Sequence, residues 1–263
     1  MSMPELRPVT LITGASAGIG AALAQVFAAH GHETVLVARR EQLLSGLADA
    51  IAASGAPRPT VVRADVARID AARRIGDALI ANGLEPEIVI NNAGFGLVGA
   101  AVRLDRGEQL AMIDLNIRAL TDLSLAWAES LQRHQGGILN VASVAGFLPG
   151  PGMAVYYATK AYVLSFSEAL QRELSPRGVR VTVLCPGPVR TEFQARAGVV
   201  TKSFPPLLTR TAEEVALEGY RGLKAGRRIV VPGIANKIVA AMTHFMPRRW
   251  TLELSDARNR VEY

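Results

Sequence analysis

Two side chains that could perform acid–base chemistry, Tyr156 and Lys160, stand four residues apart in a segment that predicts a helix. The segment follows the prolines and glycines of residues 149–152 and continues to about residue 174 without an internal Gly or Pro. Residues four apart share a helix face, whereas Tyr157 points elsewhere. An ammonium beside a phenol lowers the tyrosine pKa from about 10. Such a tyrosine can exchange a proton with a carbonyl or alcohol oxygen near neutral pH.

A Tyr-x-x-x-Lys spacing is by itself a weak signal, because short motifs recur by chance. An amphipathic helix with a half-buried tyrosine and a solvated lysine would show the same spacing. The catalytic interpretation therefore depends on the rest of the chain.

A glycine-rich loop near the start of the chain has the context of a phosphate-binding site. The loop, Gly14-Ala15-Ser16-Ala17-Gly18-Ile19-Gly20, follows a strand-like run at residues 9–13 and precedes an apolar helix predicted over residues 21–29. Glycines let the backbone approach a pyrophosphate, and the helix N-terminus supplies N–H groups and a positive dipole. The spacing is G-x-x-x-G-x-G rather than G-x-G-x-x-G, and a glycine turn without a ligand is the alternative.

The end of the second predicted strand, residues 34–38, indicates which dinucleotide the loop would bind. An NAD site carries Asp or Glu here, on the ribose 2′-hydroxyl. This chain has Ala38, Arg39 and Arg40 instead. An arginine can bind a 2′-phosphate bidentately, whereas an acid would repel it. We predict NADP(H), with Arg39 on the phosphate and Arg40 as a second candidate; the alternative is a solvated arginine that begins the helix predicted over residues 41–53.

Strands alternate with helices through the first half of the chain, which predicts a parallel sheet covered on both faces. Further strands are predicted over residues 60–64, 87–90 and 137–142, and a helix over residues 68–81. Ligands of such sheets bind outside the carboxyl ends of the strands. The residues that fall at this edge beyond the glycine loop are Arg39, Arg40, Asp65, Val66, Asn91, Asn92, Ala93, Gly94 and Ser143.

One asparagine, Asn116, lies inside a long predicted helix. The capping-box pattern Asp105-x-x-Glu108 predicts that this helix begins there and continues to about residue 134. Asparagine is a poor helix former because it competes for backbone hydrogen bonds. Exposure would explain Asn116, and so would a polar group held in the site.

Composition restricts the class of protein. The chain has 263 residues, 49% hydrophobic and 20% charged, which suits one α/β domain with a large core. It has no apolar run of the roughly 18 residues that span a bilayer, and residues 1–9 lack the apolar region of a signal peptide. The single cysteine, Cys185, lies in an apolar strand and suits a reducing compartment. We expect a cytoplasmic protein.

The net charge of +6 raises the question of nucleic-acid binding. The basic residues occur as scattered pairs rather than as a run, and aromatic residues are sparse. We therefore expect no nucleic-acid partner and a general attraction to anionic ligands or surfaces. We also expect no metal site.

In their order along the chain, these motifs resemble the short-chain dehydrogenase/reductase family from about residue 9 to residue 191, and more loosely to residue 231. The motifs that carry the resemblance are Thr13-Gly14-x-x-x-Gly18-x-Gly20, Asn91-Asn92-Ala93-Gly94, Asn116, Ser143, Tyr156-x-x-x-Lys160 and Pro186-Gly187-x-x-x-Thr191. The resemblance implies a single-domain, Rossmann-like, doubly wound α/β fold with about seven parallel strands and helices on both faces, assembled as a homodimer or homotetramer. We place the catalytic domain at residues 1–232 and a helical extension of the same domain at residues 233–263.

The resemblance also implies roles for individual residues. Tyr156 would be the proton donor or acceptor, and Ser143 would hold the substrate oxygen. Lys160 would bind the nicotinamide ribose, and Asn116 would help to hold a water that connects Lys160 to solvent. The other implied cofactor contacts are Gly14, Ser16, Gly18, Ile19 and Gly20 in the glycine loop, Asp65 and Val66 at the adenine, Asn92, Ala93 and Gly94 along the cofactor, and Pro186, Gly187, Val189 and Thr191 at the nicotinamide amide.

One position departs from the pattern of many NADP-dependent members, which carry a basic residue where this chain has Ala17. The NADP(H) prediction therefore depends on the missing acid at Ala38 and on Arg39.

The loops expected above the nicotinamide, residues 95–101, 144–155 and 193–209, have few charges and many apolar side chains. They predict a pocket for an apolar ketone or aldehyde, and packing of half of these side chains into the body is the alternative. Arg196 and Lys202 could meet an anionic group, and residues 198–206 suggest a lid. The apolar candidates are Phe95, Leu97, Phe147, Leu148, Met153, Phe193, Phe204, Leu207 and Leu208.

The last part of the chain begins with a second capping box, Thr211-x-x-Glu214, a helix to about residue 224 and a strand over residues 228–231. A stripe of apolar residues at helical spacing follows. We favour a helix packed over the cleft or at a subunit interface, and the alternative is a helix on an anionic membrane. The stripe consists of Ile234, Ile238, Val239, Met242 and Phe245, with Lys237, Arg248 and Arg249 alongside.

Together these features predict an NADP(H)-dependent oxidoreductase that interconverts a ketone or aldehyde and an alcohol on an apolar substrate. One alternative is an NAD-dependent dehydrogenase of a steroid- or sugar-type alcohol. Another is a non-catalytic NADP-binding regulator, which has no chemical need for the full set of Asn116, Ser143, Tyr156 and Lys160.

Overall fold

The computed structural model describes residues 6–197 and 205–259, and it shows the predicted seven-stranded parallel sheet with helices on both faces. The strands are β1 (Arg7–Thr13), β2 (Thr34–Ala38), β3 (Thr60–Arg63), β4 (Leu84–Asn91), β5 (Gly137–Val141), β6 (Arg180–Leu184) and β7 (Ile229–Val230). Their order in the sheet is β3-β2-β1-β4-β5-β6-β7, and each pairs in parallel with its neighbours. The order reverses between β1 and β4, where ligands of doubly wound sheets bind.

The helices before β5 are α1 (Gly18–Ala29), α2 (Glu41–Ala53), α3 (Ala71–Ala81), α4 (Arg106–Ile113), α5 (Leu120–Leu125) and α6 (Ala128–Arg133). Those after β5 are α7 (Ala154–Leu174), α8 (Glu192–Ala197), α9 (Ala212–Lys224), α10 (Ile234–Phe245) and α11 (Arg248–Asn259).

The central strands are rich in buried apolar residues because both of their faces are covered. Successive residues of a strand point to opposite faces, so Leu11 packs with residues of α3 and α5, whereas Ile12 packs with residues of α1, α2 and α9. The same alternation in β4 directs Val89 toward α6 and α7 and Ile90 toward α1. The sheet is thereby fixed between two helical layers, and its carboxyl edge stays open.

The long helix predicted from Asp105 to about residue 134 is wrong as a single element. It is divided into α4, a π-helical segment at Asp114–Ala119, α5 and α6, with a break at Trp127. Asp105 does accept a hydrogen bond from the Glu108 N–H, so the helix begins where the pattern predicts. The wide turn places Asn116 on the buried side, with 1% of its surface exposed. π-helical turns are frequent at functional sites.

Other boundaries differ from the sequence prediction by one to three residues. β4 begins at Leu84 and extends to Asn91, because Asn91 still pairs with β5. α3 begins at Ala71 rather than at Arg68, since the Arg68 N–H closes a turn onto the Asp65 carbonyl. The capping box at Thr211 and Glu214 is confirmed, with both hydrogen bonds present.

The apolar C-terminal stripe is not packed over the cleft as one face, because several of its residues are exposed. Ile234, Ile238 and Met242 are each more than half exposed on α10, whereas Asn236 and Ala240 on the opposite side are buried. The buried side packs on the segment Val144–Phe147. The exposed residues therefore fit either the subunit-interface or the membrane interpretation. No helix within the described ranges combines the length and the apolar character needed to cross a bilayer.

Candidate active site

A cleft of about 1280 Å³ lies along the carboxyl edge of the sheet. Its volume exceeds the roughly 300–1,000 Å³ of common small-molecule pockets, so it suits an extended ligand. Most of the residues predicted for the site meet in its lining. These are Gly14, Ser16, Gly18, Ile19, Arg39, Arg40, Asp65, Val66, Asn92, Ala93, Gly94, Ser143, Tyr156, Lys160, Pro186, Gly187, Val189 and Thr191.

Gly20 is predicted as a cofactor contact, but it does not line the cleft. A Cβ built on Gly20 would lie 2.3 Å from the Gly14 carbonyl oxygen and 2.4 Å from Asn92 Nδ2. Contacts this short with backbone cannot be relieved by a side-chain movement. Gly20 therefore allows α1 to begin directly against the loop.

Thr13 and Asn92 join the glycine loop to the loop after β4. The Thr13 hydroxyl accepts hydrogen bonds from the N–H groups of Asn92 and Ala93, at 3.0 and 3.2 Å, and donates to the Ile90 carbonyl. The Asn92 amide donates to the carbonyls of Thr13 and Gly14. These bonds hold the two loops at a fixed separation.

Asn91, next to Asn92, is directed away from the cleft into the protein. Its amide nitrogen donates to Ser124 Oγ and to Asn140 Oδ1, both at 2.9 Å, and the Asn140 amide in turn donates to Ser167 Oγ. This buried polar network links β4 and β5 to α5 and α7. Asn91 therefore supports the sheet edge rather than contacting a ligand.

Arg39 and Arg40 lie together at one end of the cleft, beside Asp65 and Val66. The Arg40 guanidinium donates to Ser16 Oγ from Nε and Nη2, at 3.2 and 3.0 Å, and its Nη1 pairs with Glu192 at 2.8 Å. Arg39 is exposed and has no ion pair within the described ranges. A cationic group thus faces the end of the cleft where the sequence predicts the 2′-phosphate.

Ser143, Tyr156 and Lys160 lie together in the lining at the ends of β5 and at α7. The Lys160 ammonium donates to the Val141 carbonyl at 2.9 Å and lies 5.8 Å from the centroid of the Tyr156 ring. Ser143 Oγ accepts from the Ala145 N–H at 3.1 Å. The Ser143 and Tyr156 hydroxyl groups therefore border the same cleft, with the Lys160 ammonium beside the Tyr156 ring.

Asn116 does not line the cleft, and its side chain makes three hydrogen bonds behind it. Its amide nitrogen donates to the Phe95 carbonyl and to Thr159 Oγ1, at 2.9 and 3.0 Å, and its oxygen accepts from the Phe95 N–H. Gly94 lies against it, since a Cβ there would come within 2.9 Å of Asn116 Oδ1. Asn116 thus ties the π-helical segment to the loop after β4 and to the helix that carries Tyr156 and Lys160.

Burial changes the acid–base properties of two groups below the cleft. It lowers the pKa of Lys160 to about 8, because the ammonium loses solvation that one carbonyl bond does not replace. It raises the pKa of the neighbouring Cys185 thiol to about 12. Cys185 is therefore an inert core residue, as the sequence predicts.

The part of the cleft beside Tyr156 is apolar. The Phe193 ring lies 5.5 Å from the Tyr156 ring, and Phe95 and Met153 also line this part. Among the other predicted substrate residues, Leu148 packs in the core with Tyr157, and Leu207 is 74% exposed. The remaining described ones, Leu97, Phe147 and Leu208, do not line the cleft.

Part of the predicted substrate loops lies outside the described residues. Phe204 and Lys202, with most of the predicted lid at residues 198–206, lie outside the described residues, and the side chain of Arg196 is likewise not described.

Three residues of the site carry no recognisable signal in the sequence. Thr159 receives the Asn116 hydrogen bond, and Glu192 pairs with Arg40. Gly96 permits close packing, because a Cβ there would lie 2.9 Å from Phe193 and 3.0 Å from Tyr156. Contacts between residues this distant in sequence depend on the fold, so spacing could not reveal them.

Comparison with known proteins agrees with this geometry. The family model described as short chain dehydrogenase matches residues 8–199. Sulfoacetaldehyde reductase 2 of Chromohalobacter salexigens is 35% identical over 222 residues, which are 80% of this chain and 86% of that protein. A short-chain dehydrogenase from Sphingobium yanoikuyae in complex with NADPH is 34% identical, with a TM-score of 0.79 over 91% of this chain and 95% of that one. The bulky-bulky ketone specific alcohol dehydrogenase from Comamonas testosteroni is 31% identical, with a TM-score of 0.74 over 97% and 93%.

The chain therefore belongs to the short-chain dehydrogenase family. It is an oxidoreductase that acts on CH–OH groups, and its cofactor is a nicotinamide dinucleotide.

The lining fits such a cofactor. The glycine loop leaves room for a pyrophosphate at the start of α1, because the backbone of Gly14 and Gly18 borders the cleft directly. Ser143, Tyr156 and Lys160 lie beyond it, and Arg39 and Arg40 lie at the opposite end.

The buried Lys160 predicts a pH-dependent stability. Its pKa is about 8 in the folded chain against an ordinary value of 10.5, so between these values the unfolded chain binds more protons. The free energy of unfolding should therefore rise with pH, by at most about 1.4 kcal/mol per pH unit. Urea unfolding at pH 7.5, 8.25 and 9 should show this rise in the wild type relative to Lys160→Met.

The pKa of the Cys185 thiol is 9.0 in the unfolded chain and about 12 in the folded one, so above pH 9 this group lowers the free energy of unfolding as the pH rises. The measurement therefore stops at pH 9. Lys224→Met, which removes an exposed lysine, is the control and should follow the wild type. Parallel curves for wild type and Lys160→Met would contradict a depressed Lys160 pKa.

Proposed function

We propose that the protein is an NADP(H)-dependent oxidoreductase that interconverts an apolar ketone or aldehyde and its alcohol, with Tyr156 as general acid and base. The observation that carries the proposal is one continuous cleft with two arginines at one end and Ser143, Tyr156 and Lys160 at the other. The Sphingobium yanoikuyae relative in complex with NADPH supports the cofactor assignment.

In this proposal, the bound nicotinamide supplies or accepts the hydride. Tyr156 gives its phenolic proton to the substrate oxygen, or takes the proton of the alcohol in the reverse direction. Ser143 donates a hydrogen bond to the same oxygen and stabilises the charge that develops there. The Lys160 ammonium below the ring favours the phenolate form of Tyr156 and holds the nicotinamide ribose. Phe193, packed on Tyr156, makes this end of the cleft apolar.

The substrate is proposed to be apolar and uncharged. Among the described lining residues, the basic ones are Arg39 and Arg40 at the far end and Lys160, whose ammonium is held below the cleft. Apart from Lys160, whose ammonium is bound to the Val141 carbonyl, this arrangement offers an anionic substrate no described cation beside Tyr156. It favours a substrate like that of the bulky-bulky ketone specific relative over one like sulfoacetaldehyde.

Two other functions are less well supported. An NAD-dependent alcohol dehydrogenase would have an acid at the end of β2, where this chain has Ala38 before Arg39. A non-catalytic regulator would not need Lys160, whose burial is unfavourable for stability while it is charged.

The cofactor assignment is tested by dissociation constants for NADPH and NADH, measured through cofactor fluorescence. We expect the wild type to bind NADPH at least tenfold more tightly, about 1.4 kcal/mol, because the arginines neutralise the 2′-phosphate. Arg39→Ala and Arg40→Ala should each reduce this preference without changing NADH binding by more than about twofold. Equal affinities in the wild type would disprove the NADP assignment.

The acid–base role is tested with Tyr156→Phe and a panel of bulky apolar ketones and aldehydes. General acid–base catalysis contributes about 10²–10⁴-fold, so kcat for NADPH oxidation should fall at least 100-fold. The NADPH dissociation constant should change less than about threefold, because the ring and its packing on Phe193 remain. Tyr162→Phe, on the same helix but outside the cleft, is the matched control. Retained turnover in Tyr156→Phe would exclude the proposed role.

We also propose a homodimer or homotetramer in which residues 233–263 form a helical extension of the catalytic domain. The Asn236 amide supports the extension, because it donates to the carbonyls of Pro232 and Leu208 at 2.9 and 3.1 Å. The exposed face of α10 supports an interface, since Ile234, Ile238 and Met242 would otherwise remain in water.

Light scattering should therefore give a mass of at least twice 28.0 kDa for the wild type. Ile238→Asp should lower this mass, because it places a carboxylate in the middle of an apolar contact. Lys237→Gln, at a neighbouring exposed position, is the control. An unchanged mass for Ile238→Asp, with flotation on anionic vesicles that this variant loses, would favour the membrane interpretation instead.

A further inference from the structure

An ion pair crosses the mouth of the cleft at the end where Arg39 and Arg40 lie. Arg40 follows β2, and Glu192 begins α8 after the loop that follows β6. Their side chains approach to 2.8 Å, between Arg40 Nη1 and Glu192 Oε2, and both residues line the cleft. Beside this pair, Thr191 lies against the glycine loop, since a Cβ on Gly18 would come within 3.0 Å of Thr191 Cγ2. The loop after β6 therefore closes onto the cofactor side of the cleft.

The pair uses one edge of the Arg40 guanidinium, and Ser16 uses the other. Arg40 Nε and Nη2 donate to Ser16 Oγ, whereas Nη1 is held by Glu192. Ser16 is neutral, and a phosphate can replace its oxygen at this edge of the guanidinium. Glu192 is a carboxylate, so it both neutralises the cation that a 2′-phosphate needs and places a negative charge near the phosphate position.

We propose that Glu192 is a specificity-determining residue, which weakens selection for a 2′-phosphorylated cofactor by competing for Arg40. This inference rests on the proposed assignment of Arg40 to the 2′-phosphate. Glu192 acts through Arg40, so it is a positioning residue and not a catalytic one. It lowers the affinity for NADPH and leaves that for NADH unchanged, because NADH presents no phosphate to this arginine.

The exposure of the pair limits the size of the effect. The side chains of Arg40 and Glu192 are 48% and 64% exposed. Exposed ion pairs contribute little to binding or stability and are screened by salt. Loss of the carboxylate should therefore change the NADPH affinity severalfold rather than a thousandfold, and the change should shrink as salt is added.

The test compares Glu192→Gln with the wild type by isothermal titration of NADPH, NADH and adenosine 2′,5′-bisphosphate. We expect Glu192→Gln to bind NADPH and the bisphosphate about three- to fivefold more tightly, with NADH binding unchanged within about twofold. The gain should fall below about twofold at high salt. Glu173→Gln, which makes the same change of charge at an exposed position of α7 outside the cleft, should behave as the wild type.

A second pair of variants tests whether Glu192 acts through Arg40. In an Arg40→Ala background, Glu192→Gln should change the NADPH affinity by less than about twofold, since the group it competes for is absent. The same gain in NADPH affinity with and without Arg40 would show that Glu192 does not act through Arg40. Unchanged or weaker NADPH binding by Glu192→Gln alone would overturn the proposal itself.

The two proposals can fail separately. The NADP assignment is decided by the cofactor preference of the wild type, whereas the role of Glu192 is decided by the difference that Glu192→Gln makes. A wild type that prefers NADH, together with a Glu192→Gln variant that gains affinity for the bisphosphate, would disprove the first and support the second.

Discussion

The burial of a lysine ammonium under the carboxyl edge of the sheet is the interaction on which the site depends. Lys160 is 5% exposed, and its ammonium is bound by the Val141 carbonyl, the last residue of β5. A cation in this position is unfavourable for folding, and its depressed pKa is the measure of that. The surrounding structure therefore has to hold it. Strand β5 supplies the carbonyl and α7 supplies the side chain, so the relative position of these two elements sets the position of Tyr156.

Rigid and adaptable parts of the site are built from different interactions. Around Lys160, Asn116 bonds to Phe95 and Thr159, and Asn92 bonds to Thr13 and Gly14, all through buried or half-buried groups. Such bonds are expensive to break, because a buried partner would be left unsatisfied. At the mouth, by contrast, Arg40 and Glu192 are largely exposed, and their pair is easily exchanged for another partner. Geometry at the reacting atoms is thus fixed, whereas the end that distinguishes cofactors can respond to a charge.

Much of the fold and of the site follows from local patterns in the sequence. Alternating strands and helices predict the parallel sheet, and the sheet brings the residues after β1, β2, β4 and β5 to one edge. The spacing of Tyr156 and Lys160 survives because α7 is regular over its whole length. The prediction failed where tertiary contacts override the local helix pattern. The sequence pattern predicts one helix through Asn116, whereas residues 114–119 form a π-helical turn in which the Asn116 amide is buried and bonded to Phe95. Glu192 could not be predicted, since its pairing with Arg40 joins positions that only the folded chain brings together.

Helix α10 has one side packed on the protein and one apolar side exposed to solvent. Asn236 is fixed by the carbonyls of Pro232 and Leu208 and lies against Gly187, where a Cβ would come within 2.5 Å of its amide. One side of α10 is therefore committed to the loop that follows β6, which lines the cleft through Pro186 and Gly187. The opposite side carries Ile234, Ile238 and Met242 outward. Helix α10 therefore stands between this exposed apolar face and the loop that carries Pro186 and Gly187.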